Sequence, residues 1–250
     1  MAANDELQPL WEQFYNCSNS LHETLWQRTS ELQSNLHIYH PFEYSGEIYR
    51  NFLKKYLNGP KKILFVGINS SLYGSLQTGI PFGDIPTVRD RMQLEVTSLD
   101  SLEEEEGEQS SQRFWNLIKA IFKDKDDFLD RFFQNCFILN FCPLVFIDNN
   151  GRNVSLESLA QVMPMETMAL EEACLNALQE QVELLRPERI IPVGLYAFNM
   201  LQSLDYYKNG NCLLESIPHP CPNNFVYEST WLKVCKQILM NSNIFDIIRS

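Results

Sequence analysis

Three short apolar runs constrain the fold of this chain more than any other feature. They cover residues 62–67, 136–140 and 189–193. Segments with the apolar spacing of helices lie between them, near 112–123, 126–134 and 166–185. Continuous apolar runs are typical of parallel strands buried on both faces, and helices that alternate with such strands cover those faces. The sequence therefore predicts an α/β protein.

The remaining segments complete the predicted architecture. A fourth strand fits residues 212–216, a closing helix fits 229–240, and two further helices fit 5–34 and 48–57. We expect a three-layer α/β/α sandwich around a central, mainly parallel, four-stranded sheet. A length of 250 residues suits one domain of this class. That domain spans residues 1–250, with an N-terminal helical extension over about 1–38 and an acidic loop over about 98–111.

Several protein classes are excluded by composition and spacing. No apolar stretch reaches the roughly 18 residues that a transmembrane helix needs, and no basic segment followed by an apolar run begins the chain. The 7 cysteines include no C-x-x-C pair, which argues against a zinc site, an iron–sulfur cluster or a disulfide framework. We therefore expect a soluble protein of the cell interior with reduced thiols, no metal and no cofactor.

The charge of the chain gives two opposing indications about nucleic acid. With 20 basic against 32 acidic residues, the net charge of −12 argues against broad, charge-driven binding to DNA or RNA. Residues 48–62, however, hold Arg50, Lys54, Lys55, Lys61 and Lys62 without a single acid. This segment fits either a local anion-facing surface or a solvated helix face, and the sequence leaves both open.

Polar residues stand at the ends of three predicted strands. Asn69 follows the first strand, Asn140 ends the second, and His219 follows the fourth. Each has an ordinary structural interpretation, because Asn often caps turns and a histidine between prolines can bond locally. Ligands of parallel sheets bind beyond the carboxyl ends of the strands, so the three side chains are expected to meet in one crevice. Neutral amides and one imidazole suit a polar heterocycle and a bound water.

Longer blocks of sequence point to one family. The blocks are HPFEYSGEIYRNF (40–52), GPKKILFVGIN (59–69), QTGIPFGDIPTVRD (77–90), RFWN (113–116), FILNFCPLVFIDNNGRN (137–153) and HPCP (219–222). Together they resemble the single-strand-selective monofunctional uracil-DNA glycosylases of the uracil-DNA glycosylase superfamily, from about residue 40 to 239. The resemblance implies excision of uracil from DNA in base-excision repair, in the nucleus, by a monomer whose partner is single-stranded or duplex DNA.

The resemblance also implies roles for individual residues. Asn69 would position the hydrolytic water, and His219 would donate a hydrogen bond to the uracil O2. Asn140 would pair with the edge of the base, and Phe82 would stack on it, although a plain core role also fits Phe82. The backbone at Gly67 and Ile68 would line the pocket. None of the three strand-end motifs contains a lysine able to form a Schiff base, which fits an enzyme that leaves an abasic site.

The chain departs from the family pattern at two places. The first motif, G-M-N-P-G in the family, reads Gly67-Ile68-Asn69-Ser70-Ser71, so a side chain stands at Ser71 where the family has none. If its hydroxyl faces the base, thymine is excluded and 5-hydroxymethyluracil is accepted slowly; otherwise Ser70 and Ser71 only cap the following turn.

The second departure lies in the segment expected to contact DNA, which comprises Pro220, Pro222, Asn223 and Asn224. The family has an arginine-bearing wedge after this motif, where this chain has Asn223 and Asn224. Single-stranded DNA is therefore expected to be at least as good a substrate as duplex. Together with the acidic charge, the departures also leave an alternative, a protein without turnover that binds DNA lesions or other proteins.

Overall fold

The structure is a computed structural model that describes residues 8–29, 32, 36–96, 107–221 and 228–249. Its helices are α1 Leu10–Arg28, α2 Pro41–Tyr56, α3 Ser75–Thr78, α4 Gln109–Ile121, α5 Phe128–Asn135, α6 Leu156–Val162, α7 Pro164–Leu185, α8 Leu195–Leu201, α9 Asp205–Lys208, α10 Glu228–Asn241 and α11 Ile244–Arg249. Its strands are β1 Leu36–Tyr39, β2 Ile63–Asn69, β3 Cys136–Cys142, β4 Val145–Asp148, β5 Asn153–Val154, β6 Arg189–Pro192 and β7 Leu213–Leu214. A short π-helical turn covers Thr87–Arg91.

A four-stranded parallel sheet forms the centre of the molecule. Its strand order is β3-β2-β6-β7, and every neighbouring pair is parallel. The residues of β2 from Ile63 to Val66 are completely buried, as a strand covered on both faces requires. Helices α5 and α7 pack on β3, and α8 packs on β6 and β2. The predicted α/β class and its parallel four-stranded sheet are confirmed.

A second sheet was not predicted. Strands β1, β4 and β5 form a three-stranded antiparallel sheet, in which Leu36 pairs with Asp148 and Tyr39 with Val145. Strand β4 follows β3 after only two residues, so the apolar residues of the two strands form one run in the sequence. Strand β1 has only four residues and lacks a buried face, which gives little periodicity to detect.

The ends of several elements differ from the prediction. The N-terminal helix ends at Arg28, and the last residues of the predicted helical extension form β1 instead. Phe14 and Leu25 of α1 are completely buried, so this helix is part of the core and packs against α7 and α2. The fourth strand of the parallel sheet is only two residues long, with one further bridge between Val193 and Ile217.

Two further observations concern the predicted acidic loop and membrane segments. Residues 98–106 of that region lie outside the described residues, and residues 109–111 already belong to α4. Among the helices that the structure describes, none is long and apolar enough to cross a membrane.

Candidate active site

A cleft of about 920 Å³ lies at the carboxyl ends of the parallel strands. It brings together all the residues predicted to act on the base or the bond: Gly67, Ile68, Asn69, Ser71, Phe82, Asn140 and His219. Of the predicted DNA contacts, Pro220 is buried, and Pro222, Asn223 and Asn224 lie outside the described residues. The contact of these four residues with DNA stays a prediction.

Asn69 is the last residue of β2, and its amide is held at both ends. Its Oδ1 accepts a hydrogen bond from the backbone N–H of Leu156 at 3.1 Å, and its Nδ2 donates to the carbonyl of Ser70 at 2.7 Å. Leu156 is the first residue of α6, so the side chain joins β2 to the start of that helix. A carboxamide has two lone pairs and two N–H hydrogens. One of each therefore remains for a water molecule.

Asn140 stands on β3, directly beside Gly67 in the parallel register. Its Nδ2 donates to the hydroxyls of Ser70 and Ser75, at 3.2 and 3.3 Å. Its Oδ1 lies over Gly67, where a Cβ would come within 2.6 Å of that oxygen and 3.2 Å of Phe82 Cζ. Only glycine fits this close approach. The amide thus presents a hydrogen-bond acceptor to the cleft, with its orientation fixed by two serines.

Phe82 combines the core and cleft positions that the sequence left as alternatives. One face of its ring stacks on Phe114, with ring centroids 4.3 Å apart and planes 10° from parallel. Its carbonyl accepts hydrogen bonds from Trp115 Nε1 and Ser111 Oγ, and its backbone has a φ of +52°. The ring is therefore fixed by α4, and it forms part of the lining of the cleft.

His219 is held as a neutral imidazole with a defined tautomer. Burial lowers its pKa to about 4, so the ring carries no charge at neutral pH. The backbone N–H of Cys221 donates to Nδ1 at 3.2 Å, which makes Nδ1 an acceptor and leaves the proton on Nε2. His219 can therefore donate one hydrogen bond to a bound molecule.

Two buried donors hold the main chain on either side of His219. Trp231 Nε1 donates to the carbonyl of Pro218 at 2.9 Å, and the Arg113 guanidinium donates to that of Pro220 at 3.2 Å. Gly194 has a φ of +103°, and a Cβ there would lie 3.3 Å from His219 Cβ. The histidine loop is thus fixed by α10, by α4 and by the turn after β6.

Sequence reasoning missed several residues of this cleft. They are Ser75, Glu108, Ser110, Asn153, Ser155, Glu157, Ser158, Gly194 and Leu195, together with Pro218 and Cys221 beside the histidine. Gly194 carried a detectable signal, a glycine directly between a buried strand and a helix. Glu108 carried a misleading one, because it belongs to a run of acids that suggests a solvated loop.

Comparisons with known proteins agree with this architecture. The family model for the uracil DNA glycosylase superfamily matches residues 54–239. A single-strand selective monofunctional uracil-DNA glycosylase of Rattus norvegicus is 27% identical over 253 residues, covering 93% of this chain and 88% of that protein. The one of Bos taurus is 29% identical over 224 residues, covering 85% and 80%. The crystal structure of wild-type Pedobacter heparinus SMUG2 superposes with a TM-score of 0.65 at 19% identity, over 90% of this chain and 98% of that one.

The fold and the cleft define an α/β protein with a polar site at the carboxyl ends of its parallel strands. Since the family model covers most of the chain, this protein belongs to the uracil-DNA glycosylase superfamily. The resemblance drawn from the sequence motifs is thereby confirmed.

Proposed function

We propose that this protein hydrolyses the N-glycosidic bond of uracil in DNA and leaves an abasic site. The observation that carries the proposal is the presence of Asn69, Asn140 and the neutral donor His219 in one cleft. A scaffold protein has no need for polar groups that face a common cavity. Family membership and the names of the relatives support the same reaction.

Asn140 and Phe82 supply the recognition of the base. Uracil inside a duplex is out of reach, so the nucleotide enters the cleft either flipped out of the helix or from a single strand. The Asn140 Oδ1 accepts the N3–H of uracil, whereas neutral cytosine has a lone pair at that position and is repelled. Phe82, which lines the cleft and is backed by Phe114, provides the ring on which the base stacks.

His219 and Asn69 supply the chemistry. When the bond between N1 of uracil and C1′ of the sugar breaks, its electron pair stays with the base and the sugar becomes cationic. The Nε2–H of His219 donates to O2, where the negative charge accumulates, and a preorganised donor of this kind contributes roughly 10²–10³ in rate. A water held by the remaining amide positions of Asn69 adds to C1′ and loses its proton to solvent.

The substrate range and the repair context belong to the same proposal. Ser71 lines the cleft, which supports slower excision of 5-hydroxymethyluracil and exclusion of thymine. None of the described residues that line the cleft is Lys or Arg, which supports few phosphate contacts and activity on single strands at least equal to that on duplex. Abasic sites are substrates for base-excision repair. The monomeric state, the single-domain boundary and a nuclear location stay predictions.

One experiment tests the proposal directly. The purified protein is incubated with a uracil-containing oligonucleotide, single-stranded or annealed, and abasic sites are then cleaved with alkali. We expect strand scission with wild type and a strong reduction with Asn69→Ala, which loses the water site. Scission no higher than in a control without protein, or equal scission by Asn69→Ala, would reject the proposed chemistry.

A second candidate function is supported by a specific contact. Both ends of the Asn69 amide already bond to protein groups, which limits how firmly it can hold a water. A protein that binds uracil-containing DNA without turnover would use the same cleft. In the same experiment this candidate predicts saturable binding of the oligonucleotide without scission.

A further inference from the structure

The wall of the cleft next to Asn140 contains a carboxyl group, that of Glu108. Its side chain bonds to the hydroxyl of Ser71, and both residues line the cleft. Gly74 lies directly between them, because a Cβ at that position would overlap Glu108 Oε2 and lie 2.6 Å from Ser71 Oγ. The loop after β2 and the residue that precedes α4 therefore form one continuous wall.

If uracil binds as in the proposed function, on which this inference rests, the C5 edge of the base faces this wall. Around the uracil ring, O2, N3–H, O4 and C5 follow one another. With O2 at His219 and N3–H at Asn140, C5 lies beyond Asn140, on the side away from His219. The Ser75 hydroxyl accepts a hydrogen bond from Asn140 Nδ2 at 3.3 Å, and Ser75 adjoins Gly74 in the same loop, so this wall begins next to Asn140.

The chemistry of Glu108 defines what it can select. Burial raises the pKa of its carboxyl group, the bond from Ser71 opposes that effect, and the nearby Asp84 adds to it. A carboxylate has about four acceptor positions and no donor, and Ser71 supplies one hydrogen bond. A partly buried acceptor favours a ligand group that donates, and it disfavours a ligand group that carries negative charge.

We propose that Glu108 determines which substituents on C5 of uracil this cleft accepts. Substituents that donate a hydrogen bond, such as hydroxymethyl, bind to its free lone pairs. Substituents that carry a negative charge, such as carboxylate, are rejected by it. The hydroxyl of Ser71 donates to this carboxyl group and occupies one of its acceptor positions.

The test compares three bases in one single-stranded oligonucleotide sequence: uracil, 5-hydroxymethyluracil and 5-carboxyuracil. Single-turnover excision is measured for wild type and Glu108→Gln, and every rate is divided by the uracil rate of the same variant. We expect the 5-carboxyuracil ratio to rise about tenfold or more in Glu108→Gln, because the amide removes the charge and can donate. The matched control is Glu157→Gln, which removes an exposed carboxylate that lines the same cleft on α6.

Each outcome decides the proposal. An unchanged 5-carboxyuracil ratio in Glu108→Gln overturns it, and so does an equal rise in Glu157→Gln, which would show a general effect of charge. Ser71→Ala keeps the carboxylate and provides a test that does not depend on the folding of Glu108→Gln. It should still reject 5-carboxyuracil, and loss of that rejection overturns the proposal. If wild type releases no uracil, the proposed function fails first and this inference with it.

Discussion

The two halves of the cleft are positioned in different ways. Asn140 and Gly67 stand on neighbouring strands, and the register of the parallel sheet alone places them side by side. His219 stands in a loop after a strand of only two residues, where the sheet fixes little. Its main chain is held instead by side-chain donors from Arg113 and Trp231. The strand half, with Asn140 and Gly67, is thus positioned by the pairing of two strands. The loop half, with His219, is positioned by side chains about 107 and 13 positions away in the chain.

Removal of the donor from the loop half has the largest expected effect. His219→Leu should lower the single-turnover rate of uracil excision by about 10²-fold or more, because the hydrogen bond to O2 is lost in the transition state. Rates are measured by quenched-flow release of uracil, and a thermal melt near that of wild type shows that the fold is intact. A rate within a few-fold of wild type would show that His219 does not act on O2.

The second expected effect is on stability, and it involves both the loop half and the N-terminal helix. Burial lowers the pKa of His22 to about 3, with a contribution from His40, and lowers those of His40 and His219 to about 4. Below pH 6.5 the unfolded chain therefore binds more protons than the folded one. The free energy of unfolding should fall as the pH drops from 6.5 towards 4, by about 2 kcal/mol per histidine at pH 5.

Urea unfolding at pH 7.5 and pH 5 measures this difference. In His22→Leu, the difference in the free energy of unfolding between the two pH values should be smaller by about 2 kcal/mol, the contribution of one histidine. His37→Leu is the matched control, since His37 is exposed on β1 and its replacement should leave the loss unchanged. An equal loss in wild type and His22→Leu would contradict the burial of a neutral imidazole at that position.

The third prediction tests the support of the loop half. Arg113→Met removes the donor to the Pro220 carbonyl and should lower the rate of uracil excision about tenfold, with a smaller change in KM. Arg113→Lys keeps a donor and should recover part of that loss. If the rate of uracil excision falls equally in Arg113→Lys and Arg113→Met, or if KM changes more than that rate, Arg113 does not position His219.

The smallest expected effect belongs to the strand half. Ser71→Gly opens the wall beside the base and frees the acceptor position of Glu108 that the Ser71 hydroxyl occupies. It should therefore raise the rate on 5-hydroxymethyluracil relative to uracil a few-fold, the change expected from one small contact. Thymine should stay below detection in wild type. Excision rates on both bases are measured for the two proteins, and an equal ratio in Ser71→Gly and wild type would mean that Ser71 does not limit access to C5.

The two halves also differ in how far the sequence predicted them. Residues such as Leu64 and Phe65 identify β2 because a strand buried on both faces needs an unbroken apolar run, and the strand ends then indicate Asn69 and Asn140. The bond from Arg113 to the histidine loop leaves no trace in local periodicity. Glu108 was hidden for a related reason, because its acidic neighbours suggest solvent exposure, whereas its side chain lies in the cleft wall.

A pH titration of the histidine ring nitrogens by ¹⁵N NMR measures the protonation state of His219 on which the proposed mechanism depends. Donation to O2 requires His219 to be a neutral imidazole with its proton on Nε2, since Cys221 N–H occupies Nδ1. We predict the Nε2–H tautomer for His219 from pH 8 down to about pH 5, with protonation only near pH 4. A proton on Nδ1, or a pKa near the ordinary 6.5 of histidine, would mean that His219 is not a preorganised neutral donor.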